Sequence, residues 1–296
     1  MQVLLLLIKL KSTFLNQLLN LYCSIINKVK NHHFSMKKHC FPIALLISFM
    51  FLIVSGFTTA PATEYYQLTV YHIKNAQRLA ATNAFLKNSY LPSLHKTGLK
   101  NIGVFSSIDN DTAVDKKLYV LIPFSSLQKF ETLMSTLTNE TFISKDTTAY
   151  TNAAFNNAPY ERMETTLLKA FKNMPNLKTP ALKTPLNERV YELRSYEAAT
   201  EKLYRKKVNM FNEGGEVNLF NQLKFNAVFY AEVLAGAHMP NLMYMTTFEN
   251  KATRDEHWKA FGSDSTWKRI STMPEYLNTV SKADISFLRP TDYSDY

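Results

Sequence analysis

Two short stretches of this chain repeat one pattern at a spacing of 125 residues. The stretch EYYQLTVYH spans residues 64–72, and RVYELRSYE spans residues 189–197. Three matched pairs carry the repeat: Tyr66 with Tyr191, Leu68 with Leu193, and Tyr71 with Tyr196. Both stretches are rich in aromatic and β-branched residues and precede a helical pattern, so each predicts a β-strand that opens a repeated unit.

The order of predicted elements is the same in both halves: strand, helix, strand, strand, helix, strand. In the first half these segments are 65–71, 75–94, 101–108, 117–124, 126–137 and 160–171, the last with a helix as the alternative. In the second half they are 190–196, 200–211, 227–233, 242–248, 251–261 and 282–288. An offset held across four strands and two helices indicates an internal duplication.

The boundaries between these units follow from composition. Residues 1–62 form a leader, residues 63–172 and 189–296 form the two units, and residues 173–188 form a linker that carries three prolines without periodicity. Each unit then has the βαββαβ order of a ferredoxin-like fold, whose sheet is covered by helices on one face only. We therefore expect an α+β protein in which the two units pack sheet on sheet and cover each other.

Three stretches of the second half resemble the NIPSNAP family: RVYELRSYE, RDEHWKAFGSDSTWKRI at 254–270 and LRPTDYS at 288–294. That family belongs to the dimeric α/β-barrel superfamily, so the resemblance implies an α/β barrel formed within one chain. Its members have no agreed reaction. In the first half, MSTLTNETFIS at 134–144 lacks the tryptophans of this motif, so the first unit is expected to be a diverged copy.

The leader has the three parts of a secretory signal peptide. The positive start MKKHC begins at Met36, the apolar run FPIALLISFMFLIVSGF spans 41–57, and small residues follow. We expect translation to start at Met36, cleavage after Ala60 or Ala62, and a periplasmic or secreted protein without a membrane span in its mature form. An uncleaved membrane anchor is the alternative.

Charge and cysteine content restrict the remaining chain further. The net charge is +10, but six lysines lie in residues 1–60, and removing them leaves 28 basic against 24 acidic residues. This balance predicts no nucleic-acid partner. Both cysteines, Cys23 and Cys40, lie in the leader, so no disulfide or thiolate site is expected in the mature chain.

The second strand motif carries charges in its middle. By alternation, Glu192, Arg194 and Tyr196 share one face, and Gln67 and Tyr71 are first-half counterparts on the equivalent face. We expect this face to point into the barrel. Buried charges are costly unless paired, which leaves two interpretations. One is a ligand pocket, and the other is a Glu192–Arg194 pair that holds the two sheets in register.

Other candidate residues are aromatic or basic. Trp258, Phe261 and Trp267 form a group around a helix end at Gly262, for which packing is preferred over substrate stacking. The mature chain has four histidines, His72, His95, His238 and His257, none at metal-ligand spacing. No metal site or cofactor is therefore predicted, with haem on a single histidine as the alternative.

No catalytic motif identifies a reaction, so catalytic residues stay unassigned. The sequence favours an exported protein that binds a small molecule or a protein partner through the barrel. An α/β-barrel monooxygenase or haem-handling enzyme is the alternative. Because the barrel closes within one chain, a monomer or a weak homo-oligomer is expected.

Overall fold

The computed structural model describes residues 62–137 and 150–296, together with the single positions 17 and 20. The predicted signal peptide up to residue 61 lies outside the described residues, and so do residues 138–149. The latter include residues 138–144 of the first-half counterpart to the tryptophan motif. Within the described part, no helix is long and apolar enough to cross a membrane.

The first half forms four strands and the helices between them. The strands are β1 (Tyr65–Ile73), β2 (Gly103–Ser107), β3 (Lys116–Phe124) and β4 (Arg162–Ala170). The helices are α1 (Ala76–Phe85), which continues through a π-helical turn (Leu86–Tyr90) into α2 (Leu91–Lys96), and α3 (Leu127–Leu137). Asn75 begins α1 because its side-chain oxygen accepts a hydrogen bond from the Arg78 amide at 2.9 Å.

The second half repeats the strands and adds two short helices. Its strands are β5 (Val190–Glu197), β6 (Phe229–Ala235), β7 (Asn241–Phe248) and β8 (Lys282–Pro290). Its helices are α4 (Glu201–Asn212), α5 (Glu216–Gln222), α6 (Lys251–Ser263), α7 (Ser265–Ser271) and a 3-10 turn (Pro274–Tyr276). The sequence patterns missed α5 and α7. Gly262 lies inside α6 and does not end it, because Asp264 ends α6 and caps α7.

The eight strands form one closed antiparallel barrel in the order β1-β3-β2-β8-β5-β7-β6-β4. Each half contributes a four-stranded ferredoxin-like sheet, β4-β1-β3-β2 and β8-β5-β7-β6. The sheets join where β2 pairs with β8 and where β4 pairs with β6. The predicted fold, two ferredoxin-like units that form an intrachain barrel, is therefore confirmed.

The barrel interior is apolar and draws on both halves. Tyr66 and Leu68 of β1 lie in one buried cluster with Tyr191 and Leu193 of β5. The helices of each half cover the outer face of their own sheet through two further clusters. Each sheet thus buries its inner face against the other sheet, which offsets the cost of exposing apolar surface.

One end of the barrel is plugged by the segment between β4 and β5 and by the C-terminal residue. β1 and β5 run in the same direction, so both begin at this end. Leu182 lies in the interior cluster. The Tyr296 ring enters beside Phe105, with ring centres 5.3 Å apart. The hydroxyl of Tyr296 is buried and has no hydrogen-bond partner among the described residues.

We predict opposite outcomes for two substitutions of Tyr296. Tyr296→Ala should lower the free energy of unfolding by about 2–4 kcal/mol, because it leaves a cavity beside Phe105. Tyr296→Phe should leave it within about 0.5 kcal/mol or raise it, since the buried hydroxyl forms no hydrogen bond. Urea denaturation of the full chain measures both. A loss above about 1 kcal/mol in Tyr296→Phe would mean that the hydroxyl has a partner.

Candidate functional site

The structure corrects the face assigned to the charged strand motif. Glu192, Arg194 and Tyr196 were expected inside the barrel, but they lie on the outer face of their sheet, under the helices. Tyr191 and Leu193, between them, fill the interior. The expectation failed because both faces of a barrel sheet are covered. The face that is apolar at the centre of the strand lies against the opposite sheet, and the face with the buried charges meets the helices.

The same correction holds for the first-half counterparts, Gln67 and Tyr71. Tyr71 packs in the helix-side cluster, with its ring centre 5.6 Å from that of Tyr160. Gln67 donates a hydrogen bond to Thr69 at 3.0 Å on the same face. The two sets therefore lie on the outer faces of different sheets, with the barrel between them. The structure does not bring them into one pocket.

Glu192 is the centre of a buried polar cluster in the second half. Its side chain is 0% exposed. Arg194 donates from Nε at 2.7 Å, and Arg254 of α6 donates from Nε at 2.7 Å and from Nη2 at 2.9 Å. The indole nitrogen of Trp258, one turn further along α6, donates at 2.8 Å. Strand β5 and helix α6 are thus joined through one carboxylate.

Arg194 extends this cluster along β5. Its guanidinium lies 3.6 Å from the centre of the Trp258 ring, a cation–π contact. Its Nη1 donates to the Tyr196 hydroxyl at 2.8 Å, and that hydroxyl lies 2.8 Å from the hydroxyl of Tyr244 on β7. The three predicted residues of the second half are therefore in contact with one another, on the face opposite to the predicted one.

A second buried ion pair joins helices α4 and α5 of the same half. Lys207 of α4 and Glu216 of α5 are 2.8 Å apart, and both are buried. The Lys207 ammonium lies 4.8 Å from the ring centre of Phe211. No sequence pattern indicated this pair. The available signal was Lys207 itself, which occupies an inward position of α4, three residues before the buried Met210.

The pKa values of Glu192 and Glu216 are shifted in opposite directions. Burial raises the pKa of Glu192, but the hydrogen bond from Arg254 and the charge of Arg194 outweigh it, so this pKa lies below the ordinary value of 4.5. Burial dominates for Glu216 and raises its pKa despite the opposing charge of Lys207. Glu192 is therefore a stable anion at neutral pH, held by two guanidinium groups.

The three aromatic candidates pack in the helix-side layer. Phe261 lies between Phe220, with ring centres 4.8 Å apart, and Trp267, at 4.5 Å. Trp258 packs against Phe225 at 4.9 Å. Trp258 differs from the other two because it also binds Glu192 and Arg194. Their assignment to packing over substrate stacking stays a prediction.

The histidines do not form a metal site in the described part of the chain, where no group of three or more His, Cys, Asp or Glu side chains could hold an ion. His257 of α6 faces the Thr253 carbonyl at 2.7 Å and packs against Phe225 and Phe248. Stacked rings fill the helix side of this sheet around Phe220 and Tyr230. His257 is therefore part of the aromatic packing on this side of the sheet, and the absence of a cofactor, with haem as the alternative, stays a prediction.

The role of the Glu192 cluster follows from how its charges are paired. Both carboxylate oxygens of Glu192 accept hydrogen bonds from fixed partners. The guanidinium groups of Arg194 and Arg254 are only 11% and 16% exposed. The arrangement holds α6 on β5 and β7. The Glu192–Arg194 pair of the second sequence interpretation is present, but the expectation that it holds the two sheets in register is wrong, because it joins a helix to one sheet.

At the other end of the barrel the interior-facing side chains become polar and more exposed. Along the interior face of β8, Leu288 is buried, Ser286 is half-buried, and Asp284 is 53% exposed. Along β4, Leu168 is buried while Glu164 is 58% exposed. We call the surface formed by Tyr119, Glu164, Ser195, Asp284 and Ser286 the open end.

The open end exists because two strands extend past their partners. β8 pairs with β2 only at Leu288–Pro290, and β4 pairs with β6 only from Leu167 onwards. The Ile108 amide still donates to the Phe287 carbonyl at 3.0 Å. Before that point, the residues of β8 and β4 have no strand partner on that side in the described part of the chain. The hydroxyls of Tyr119 and Ser286, one from each half, lie 3.4 Å apart at its base.

These features define a class of protein, the α/β barrels of two ferredoxin-like units, here with both units on one chain. Residues 191–295 match the model of the NIPSNAP family. The second half of the barrel is therefore a NIPSNAP domain, as the sequence motifs predicted.

Solved structures support the fold. A candidate monooxygenase from Lactobacillus acidophilus NCFM has a TM-score of 0.50 at 12% identity, covering 77% of this chain and 94% of that one. Another, from Fusobacterium nucleatum, has a TM-score of 0.50 at 8% identity, covering 77% and 93%. A NIPSNAP family protein from Agrobacterium tumefaciens has a TM-score of 0.32 at 19% identity, covering 36% and 96%. At these identities the first two show the fold alone. No curated protein matches the chain in sequence.

We predict that Glu192→Gln lowers the free energy of unfolding at pH 7 by about 3 kcal/mol, because two buried guanidinium groups lose their counter-charge. Arg194→Met should cost less, since Arg254 and Trp258 still hold the carboxylate. The matched control is Asp255→Asn, which removes an exposed partner of Arg254 and should change stability little. Chemical denaturation of the variants measures these differences.

The Glu192 cluster also predicts a pH dependence. Because the folded pKa of Glu192 is below its unfolded value, its stabilisation is complete above the unfolded pKa, near 4.5, and is lost as the pH falls through the folded pKa. The difference between wild type and Glu192→Gln should therefore be constant from about pH 7 to 5 and shrink below about pH 4.5. A difference that grows in acid would refute the assignment.

Proposed function

We propose that this chain is an exported binding protein that takes a small polar molecule into the open end of its barrel. The single observation that carries the proposal is the change along the interior face, from buried apolar side chains to exposed polar ones. The hydroxyl and carboxylate groups on this inner face are hydrogen-bond donors and acceptors that a polar molecule could use. The plugged opposite end leaves one route of entry.

The chemistry of the open end favours a ligand with hydroxyl or amino groups. Ser195 and Ser286 offer hydroxyls that donate and accept. Glu164 and Asp284 offer carboxylates that only accept, and in the free protein these lie 3.6 Å from His72 and 2.7 Å from Lys282. The Ser195 hydroxyl is already oriented, because the Asn241 side-chain amide donates to it at 2.8 Å. Tyr119 and Leu193 supply an apolar base beneath these groups. Few polar groups above an apolar base are typical of small-molecule sites.

Two neighbouring residues of β8 allow a matched test. Ser286 faces the open end, and Ile285, which is 42% exposed, faces outwards. We expect Ser286→Phe to fill the site and Ile285→Phe to leave it free. Mass spectrometry of small molecules that co-purify with the full chain should identify a compound bound by wild type and Ile285→Phe and lost from Ser286→Phe. The purified compound should raise the melting temperature of the first two proteins only.

The proposal fails if no compound distinguishes the three proteins, or if Ser286→Phe retains it. Circular dichroism of each variant provides the control for folding. A compound lost from both variants would place the site on the outer face of β8 and would also reject the open end.

Export is the second part of the proposal and rests on the leader sequence. We predict that N-terminal sequencing of protein recovered outside the cytoplasm gives Pro61 or Thr63 as the first residue, because Ala60 and Ala62 suit the cleavage position. An exported form that retains Met36 would favour the membrane anchor. Protein found only in the cytoplasm would reject export while leaving the binding proposal intact.

A further inference from the structure

A groove on the outer surface of the second half lies between helix α4 and the 3-10 turn. It has a volume of about 590 Å³ and is lined by Lys202, Arg205, Lys206, Asn209, Glu275 and Tyr276. This volume is within the range of small-molecule sites, roughly 300–1,000 Å³. The lining residues belong neither to the Glu192 cluster nor to the open end, so the groove is a separate surface.

The three cations of the groove have no acidic partner. In the part of the chain that the structure describes, no carboxylate forms an ion pair with Lys202, Arg205 or Lys206. Cations nearby do have such partners, since Lys207 pairs with Glu216, and Lys282 pairs with Glu197 and Asp284. Among the lining residues only Glu275 is acidic, so three cations face one carboxylate and the groove keeps a net positive charge.

The placement of these cations opposes the stability of α4. Lys202 and Lys206 are four residues apart, where like charges on a helix repel. Lys202 is the second residue of α4, near the helix end at which the backbone dipole is positive. A bound anion would relieve both effects. Because these two effects destabilise the helix in the free protein, they favour the interpretation that the groove binds an anion.

Asn209 adds a directed hydrogen-bond donor to the groove. Its side-chain oxygen accepts a hydrogen bond from the Tyr276 hydroxyl at 2.9 Å. This bond holds the amide in one orientation and leaves its NH2 group as a donor beside the cations. Several cations with a fixed donor suit an oxyanion that has three or more oxygen atoms.

We propose that this groove binds a small molecule through one phosphate or sulfate group. Glu275 lines the same groove and disfavours a second anionic group next to it. The ligand is therefore a monoester whose remaining part is uncharged. The proposal goes beyond the open-end function and does not depend on it.

Isothermal titration of the full chain with phenyl phosphate and phenyl sulfate, at fixed ionic strength, tests the proposal. We expect saturable binding of at least one probe, and the preferred probe identifies the ester class. The double variant Lys202→Gln, Lys206→Gln should weaken binding at least about tenfold. The control Lys96→Gln, Lys100→Gln removes the same charge from exposed positions elsewhere and should bind as wild type. Glu275→Gln should bind more tightly.

Two results would overturn the proposal. One is the absence of saturable binding of either probe to wild type. The other is equal weakening in the two double variants, which would mean attraction by net charge alone. Circular dichroism should show both double variants folded, and the groove variant should be no less stable than wild type, because it removes a like-charge pair.

Discussion

The fold depends on two short edge pairings that close the barrel. β2 and β8 pair over three residues each, Phe105–Ser107 and Leu288–Pro290, and β4 pairs with β6 over Leu167–Ala170. Without them, each half would expose the apolar inner face of a four-stranded sheet and two unpaired strand edges, both of which favour aggregation. With them, the two sheets share one interior, and no strand edge is left open at the centre of the barrel. The plug by Leu182 and Tyr296 completes this enclosure at the end where β1 and β5 begin.

Closure also decides where polar groups are tolerated. The interior at the level of Leu193 and Met245 is fully enclosed by the opposite sheet, so it accepts only apolar side chains. The outer face meets amphipathic helices, which can supply Arg254 and Trp258 to a strand carboxylate. The two halves differ in the polar side chains that they carry on this outer face. In the second half charges join helix to sheet, whereas the corresponding strand of the first half has neutral Gln67 and Thr69 bonded to each other.

Much of the fold could be predicted from the sequence, because all eight strands follow local patterns of alternation that do not depend on the partner. The short helices α5 and α7 could not, since seven residues carry too little periodicity. The face of Glu192 was misassigned for a different reason. Alternation separates the two faces of a strand but does not say which one meets helices, and here both are buried. The partners of Glu192 lie 62 and 66 residues away on α6, so only the tertiary fold brings them into contact.

The two sets of charges on α4 have different partners because of how this helix lies on the sheet. Its inward face carries Lys207, which must find Glu216 because an unpaired buried ammonium is too costly. Its outward face carries Lys202 and Lys206, for which water is an adequate partner, so nothing in folding requires them to be positive. Lys206 and Lys207 are consecutive residues of one helix, yet folding requires a partner for the charge of Lys207 and not for that of Lys206. The buried Lys207 is therefore needed for the stability of the fold. Lys202 and Lys206 are not, so we attribute their charge to the proposed binding of an anion.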